Sequence, residues 1–81
     1  MISADDVRGL LQSGEKDAVL VVVEGRVEVI GASRLGSADY RGALEVVTRD
    51  DLVRRIGDDP SEREIDEQAA QFDTAVSELG G

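Results

Sequence analysis

Six apolar residues in succession, Ala18 to Val23, are followed by a stretch from Arg26 to Ile30 that alternates strictly as far as Val29. An unbroken apolar run of this length fits a strand whose two faces are both removed from water, and alternation fits a strand with one wet face. Together they predict a hairpin. A two-residue turn would place Glu24 at positive φ, so the expected connection is a three-residue loop, Val23 to Gly25, with glycine left-handed. That register sets Val21 opposite Val27 and Val19 opposite Val29, which makes one clean apolar face. On the other face Leu20 and Val22 lie beside Arg26 and Glu28. A third strand, weakly alternating, is expected over Ala43 to Val47.

Helical periodicity occupies the rest. Three starts carry the same device, a hydroxyl cap with an acid three residues on and an apolar pair spanning it. These are Ser3 and Asp6 with Ile2 and Val7, Thr48 and Asp51 with Val47 and Leu52, and Ser61 and Glu64 with Pro60 and Ile65. The first helix should run from Ala4 to Ser13 and stop at Gly14 as a left-handed cap. The second should run from Arg49 to Ile56, with Gly57 ending it. The third should run from Glu62 to Leu79. Its apolar residues Ile65, Ala69, Phe72, Val76 and Leu79 are spaced four, three, four, three, a narrow seam.

The pattern predicts one α+β domain over residues 1–81, a 1–57 body followed by an acidic helix over 58–81. The element order is αββ–loop–βαα. Strand one is placed centrally in a three-stranded mixed sheet, with strand two antiparallel and strand three parallel. Helices cover the clean face; cover over the mixed face is expected from the C-terminal helix or a second copy. The connection from Gly31 to Gly42 is expected to be irregular, with room for one helical turn.

Composition narrows the chemistry. A chain of 81 residues is near the lower limit for an unaided core, and it has no Cys for a disulfide and no His for a transition-metal site. Self-association is the remaining staple. The net charge is −9 and is uneven, since residues 58–81 hold eight acids against Arg63 alone. A field of that sign disfavours nucleic acid and anionic membrane as partners. With no basic amino-terminal region and no long apolar span, a cytoplasmic location is expected, and eight Arg against one Lys suggests a GC-rich bacterial source.

No motif carries a recognisable chemistry. The glycine spacing of Gly31 to Ser37 resembles a phosphate-binding loop, but Ser37 and Ala38 stand where lysine and hydroxyl are required. Lys16 falls in an exposed turn. Asp5–Asp6 and Asp50–Asp51 are explained by capping, and Asp58–Asp59 lacks the alternating ligands of a calcium loop. Arg34, Arg41, Arg49, Arg54 and Arg55 form the one basic patch, expected to face the acidic C-terminal segment. No cofactor, metal or catalytic residue is assigned. The expectation is a non-catalytic interaction module, a homodimer, acting through Ile65, Phe72, Val76 and Leu79 on the third helix or through the mixed sheet face. The rivals are a small ligand-binding or accessory enzyme subunit built on residues 31–42 with Tyr40 and Arg41, which are also candidate contact residues, and an acidic mimic that occupies a basic partner.

Overall fold

The computed structural model describes residues 1–15 and 17–80, so the expected turn position of Lys16 lies outside the described residues. Helix α1 spans Ala4–Gln12 and begins on a complete capping box. The Asp6 amide donates to the Ser3 hydroxyl, and the Ser3 amide donates to the Asp6 carboxylate at 2.9 Å. Helix α3, Glu62–Gly80, begins on the same arrangement between Ser61 and Glu64. Helix α2, Arg49–Ile56, has half of it: the Asp51 amide donates to Thr48, while the Asp51 carboxylate turns to Arg54. Thr48 is also the last residue of a strand, where its backbone is paired with Val19. Gly57 ends α2 at φ 79°, a conformation that costs glycine little.

Gly14 is not the left-handed stop expected of it. Helix α1 ends through an extended Ser13, whose amide donates to the Leu10 carbonyl. The Leu11 carbonyl is then taken by Arg49 Nε at 3.0 Å. A side chain from the start of α2 thus satisfies an orphan acceptor at the end of α1, which a left-handed cap would otherwise have to serve.

The sheet has the order β2-β1-β3, with β1 (Ala18–Val23) in the centre, β2 (Arg26–Gly31) on one side and β3 (Leu44–Thr48) on the other. Both pairings are antiparallel, so β3 does not run parallel to β1 as the sequence pattern suggested. The two outer strands share one direction, and the segment joining them must therefore run back past β1. A strand's own pattern does not encode its direction; the route of the connection does.

The hairpin also differs. Val23 pairs with Arg26 across a two-residue turn, with Glu24 at φ 49° and Gly25 at φ 78°. These are the paired positive angles of a type I′ turn, whose twist suits the flanking strands well enough to hold a glutamate there. The register moves by one residue and exchanges the faces. Leu20 and Val22 now share the clean face with Val29 and Val27, and Val19 and Val21 lie opposite Ile30 and Glu28. On β3 a bulge lies between the Leu20–Val47 and Val21–Glu45 pairs. It lets Leu44 and Val47 both reach the clean face while Glu45 points the other way.

Each face closes over its own core. On the clean side Ala18, Leu20 and Val47 pack in one cluster with Val7, Leu10, Leu11, Leu52 and the seam of α3. Helices α1 and α2 lie on the sheet, and α3 packs chiefly along α1. On the mixed side Val19, Val21 and Ile30 are covered by Leu35, Tyr40 and Ala43. These three come from the connection itself, which forms two 3₁₀ turns, Ala32–Gly36 and Ala38–Tyr40. Neither the C-terminal helix nor a second copy supplies that cover. The crossing segment does.

Candidate functional site

The seam of α3 is spent inside the molecule. Ile65, Phe72 and Val76 are buried in the core of their own chain, and Leu79, at 74% exposure, is the one member of the seam left in solvent. The Arg55 guanidinium lies over the Phe72 ring, 5.5 Å from its centroid, and covers the ring from the side of α2.

Tyr40 and Arg41 lie at the end of the crossing segment. The Tyr40 hydroxyl donates to Glu28 Oε1 at 2.9 Å, and Arg26 Nε donates to Glu28 Oε2 at 2.7 Å. Arg34 stands 5.7 Å from the Tyr40 ring centroid. The bond from Arg26, and after it the bond from Tyr40, holds the Glu28 carboxyl below the usual carboxylate range. The same bond to Glu28, helped by partial desolvation, raises the Tyr40 phenol above its ordinary value. Chemically this is a closed arrangement. Tyr40 is half-buried on the second core and its hydroxyl is committed, while Arg41 remains exposed.

The five arginines do not gather into one patch. Arg49 holds the end of α1, Arg54 meets Asp51, Arg55 covers Phe72 and Arg34 covers Tyr40. Arg55 thereby meets the C-terminal helix at an aromatic ring, while among the described residues the ion pairs to that segment's carboxylates come from outside the five. Arg8 bridges Glu62 and Asp5, and the Met1 ammonium meets Asp73 at 2.7 Å. That ammonium, with the Ile2 amide donating at 2.9 Å, holds the Asp73 carboxyl below its ordinary range. Asp58 and Asp59 border a crevice of about 200 Å³ between α1 and the link to α3, with Arg8 and Glu62 on its wall.

One surface was not singled out by the sequence pattern. Strand β2 is an outer strand, and among the described residues nothing pairs with its free side. A two-residue turn makes Val23 and Arg26 a hydrogen-bonded pair. Alternation then turns the backbone groups of Arg26, Glu28 and Ile30 toward β1 and those of Val27 and Val29 outward. Val27 and Val29 are only half-buried, although their side chains lie on the clean face with the main core. The row of Val27, Val22 and Leu44 is half-buried across all three strands. The helix layer therefore leaves the turn end of the sheet and its β2 margin incompletely covered. The sequence pattern placed both valines on the clean face of an outer strand; the extent of the helical cover above them is what it did not reveal.

The class this defines is a small α+β domain with a three-stranded antiparallel sheet, a helix layer on one face and a crossing loop on the other. Set against known protein families, curated proteins and solved structures, the chain matches none. No helix among the described residues is long and apolar enough to cross a membrane.

Proposed function

We propose that this chain is a non-catalytic protein–protein interaction module that associates with itself. The observation that carries the reading is the half-covered apolar margin of the sheet. Val27 and Val29 belong to the main core by position, yet the chain's own helices leave them partly wet. A domain of 81 residues without disulfides gains most, per residue ordered, from closing such a margin with a second surface. The open side of β2 supplies unpaired backbone donors and acceptors at the same place.

The residues expected to form the interface shift accordingly. Ile65, Phe72 and Val76 support the module by holding α3 on α1, and the contact surface moves from the seam to the β2 margin. Sedimentation velocity across a concentration series tests the reading. A species of twice 8.6 kDa is expected at roughly 10 µM and above. A folded 8.6 kDa monomer that persists at a hundredfold higher concentration overturns it.

A further inference from the structure

We infer that two copies join through the free sides of their β2 strands, antiparallel, with Val27 opposite the partner's Val27, so that a continuous six-stranded sheet forms. This rests on the self-association reading and says which surface and which register perform it. The backbone limits the choice. Outward-facing groups belong to Val27 and Val29, so a hydrogen-bonded antiparallel pairing must set these residues against each other. Pairing Val27 with the partner's Val29 puts Glu28 directly opposite the partner's Glu28, a like-charge contact on an already acidic molecule. Pairing Val29 with the partner's Val29 leaves Glu28 facing the partner's Ile30.

The remaining register is self-complementary. With Val27 on the twofold axis, Arg26 faces the partner's Glu28, and Glu28 faces the partner's Arg26, both on the mixed face. Charges that guard a free edge against unrelated strands then favour the strand's own copy. On the opposite face the two Val27 side chains meet and extend the apolar cluster of Val22 and Val29 across the axis. The other margin is less suited. Strand β3 is interrupted by its bulge and carries Glu45 on the mixed face. A twofold contact through one edge also closes on itself and gives a dimer, not a filament.

The test exploits the reciprocity. Arg26→Glu makes both positions acidic, and Glu28→Arg makes both basic, so each variant alone opposes like charges at two symmetric places. Each is expected to dissociate about tenfold or more readily than the parent. Mixed in equal amounts, the two variants are expected to form a heterodimer as tight as the parent homodimer, read by native mass spectrometry. Hydrogen exchange on the unaltered protein gives an independent reading: the Val27 and Val29 amides should slow on passing from monomer to dimer concentrations. A parent that stays monomeric overturns self-association as a whole. A dimeric parent whose affinity neither variant alters, or whose Val27 and Val29 amides exchange equally fast at both concentrations, overturns the β2 pairing alone. Variants that both dissociate but fail to pair with each other overturn the register.

Discussion

On one side of β1, Leu20 is buried beneath amphipathic helices; on the other, Val21 is equally inaccessible beneath two short 3₁₀ turns. The helical cover is redundant. It draws on Val7, Leu10, Leu11 and Leu52, and on α3 behind them. The loop cover depends on Leu35, Tyr40 and Ala43, none of them fully buried. A thin cover suffices because the second face is small and its rim is polar. Glu28, Arg26 and the Tyr40 hydroxyl satisfy one another there without being drawn into the apolar interior. Burial of a strand thus requires exclusion of water, not a particular kind of neighbour.

The largest expected effect lies on the helical side. Leu20→Ala removes a fully buried side chain and should cost about 3 kcal/mol, a large part of the stability of a domain this size, measured by urea unfolding. Val21→Ala makes the matching cut beneath the loop and should cost about 2 kcal/mol. A loss below about 0.5 kcal/mol would mean that the crossing segment does not seal β1 and that the two faces differ in kind. Leu35→Ala, in the cover itself, should cost about 1 kcal/mol and accelerate amide exchange in β1 while leaving α1 unchanged.

These elements were unequally legible in the sequence. The bounds of β1 and α2, the caps of α1 and α3, and the central place of β1 followed from local patterns, because apolar periodicity and capping chemistry act over a few residues. The loop cover did not. Leu35 and Tyr40 stand singly in a Gly- and Ser-rich stretch, and isolated apolar residues have no period to reveal the face they meet. The bulge in β3 and its antiparallel direction are set by that same crossing, beyond the reach of the strand's own five residues. Arg49 looked like part of a basic patch, whereas its partner is a carbonyl 38 positions away. The β2 margin escaped the pattern because periodicity places Val27 and Val29 on the helix side of an outer strand without telling how far across the sheet the helices reach.

That turn gives a smaller test. Glu24→Asn should stabilise the hairpin by about 0.5 kcal/mol, since asparagine accepts the left-handed region more readily, although it gives up the Glu24–Arg26 ion pair at 3.3 Å. A net loss of stability would show that the pair outweighs the backbone preference.

The smallest effect concerns the polar rim. Glu28 is held below the usual carboxylate range in the folded chain, first by Arg26 and then by Tyr40. Its stabilising share is therefore complete above the unfolded carboxyl value and disappears as pH falls through the folded one. Tyr40→Phe removes one of the two bonds. Glu28 should then titrate at a higher pH than in the parent, followed by carboxyl chemical shifts, and its share of the acid limb of stability should be smaller and end at a higher pH, because the limb still begins at the unfolded carboxyl value. An unmoved titration would break the hydrogen bond between loop and strand.

Surface connections rich in glycine and serine are usually where natural variation trims a protein most freely. Here the connection spans the whole width of the sheet, from one outer strand to the other, and is the only roof above Val19 and Val21 among the described residues. A deletion within residues 33–39 would shorten the bridge and unroof the middle strand at once. In a scan of single-residue deletions this outwardly dispensable stretch should behave like the interior, and the tip of the acidic helix should tolerate what the loop does not.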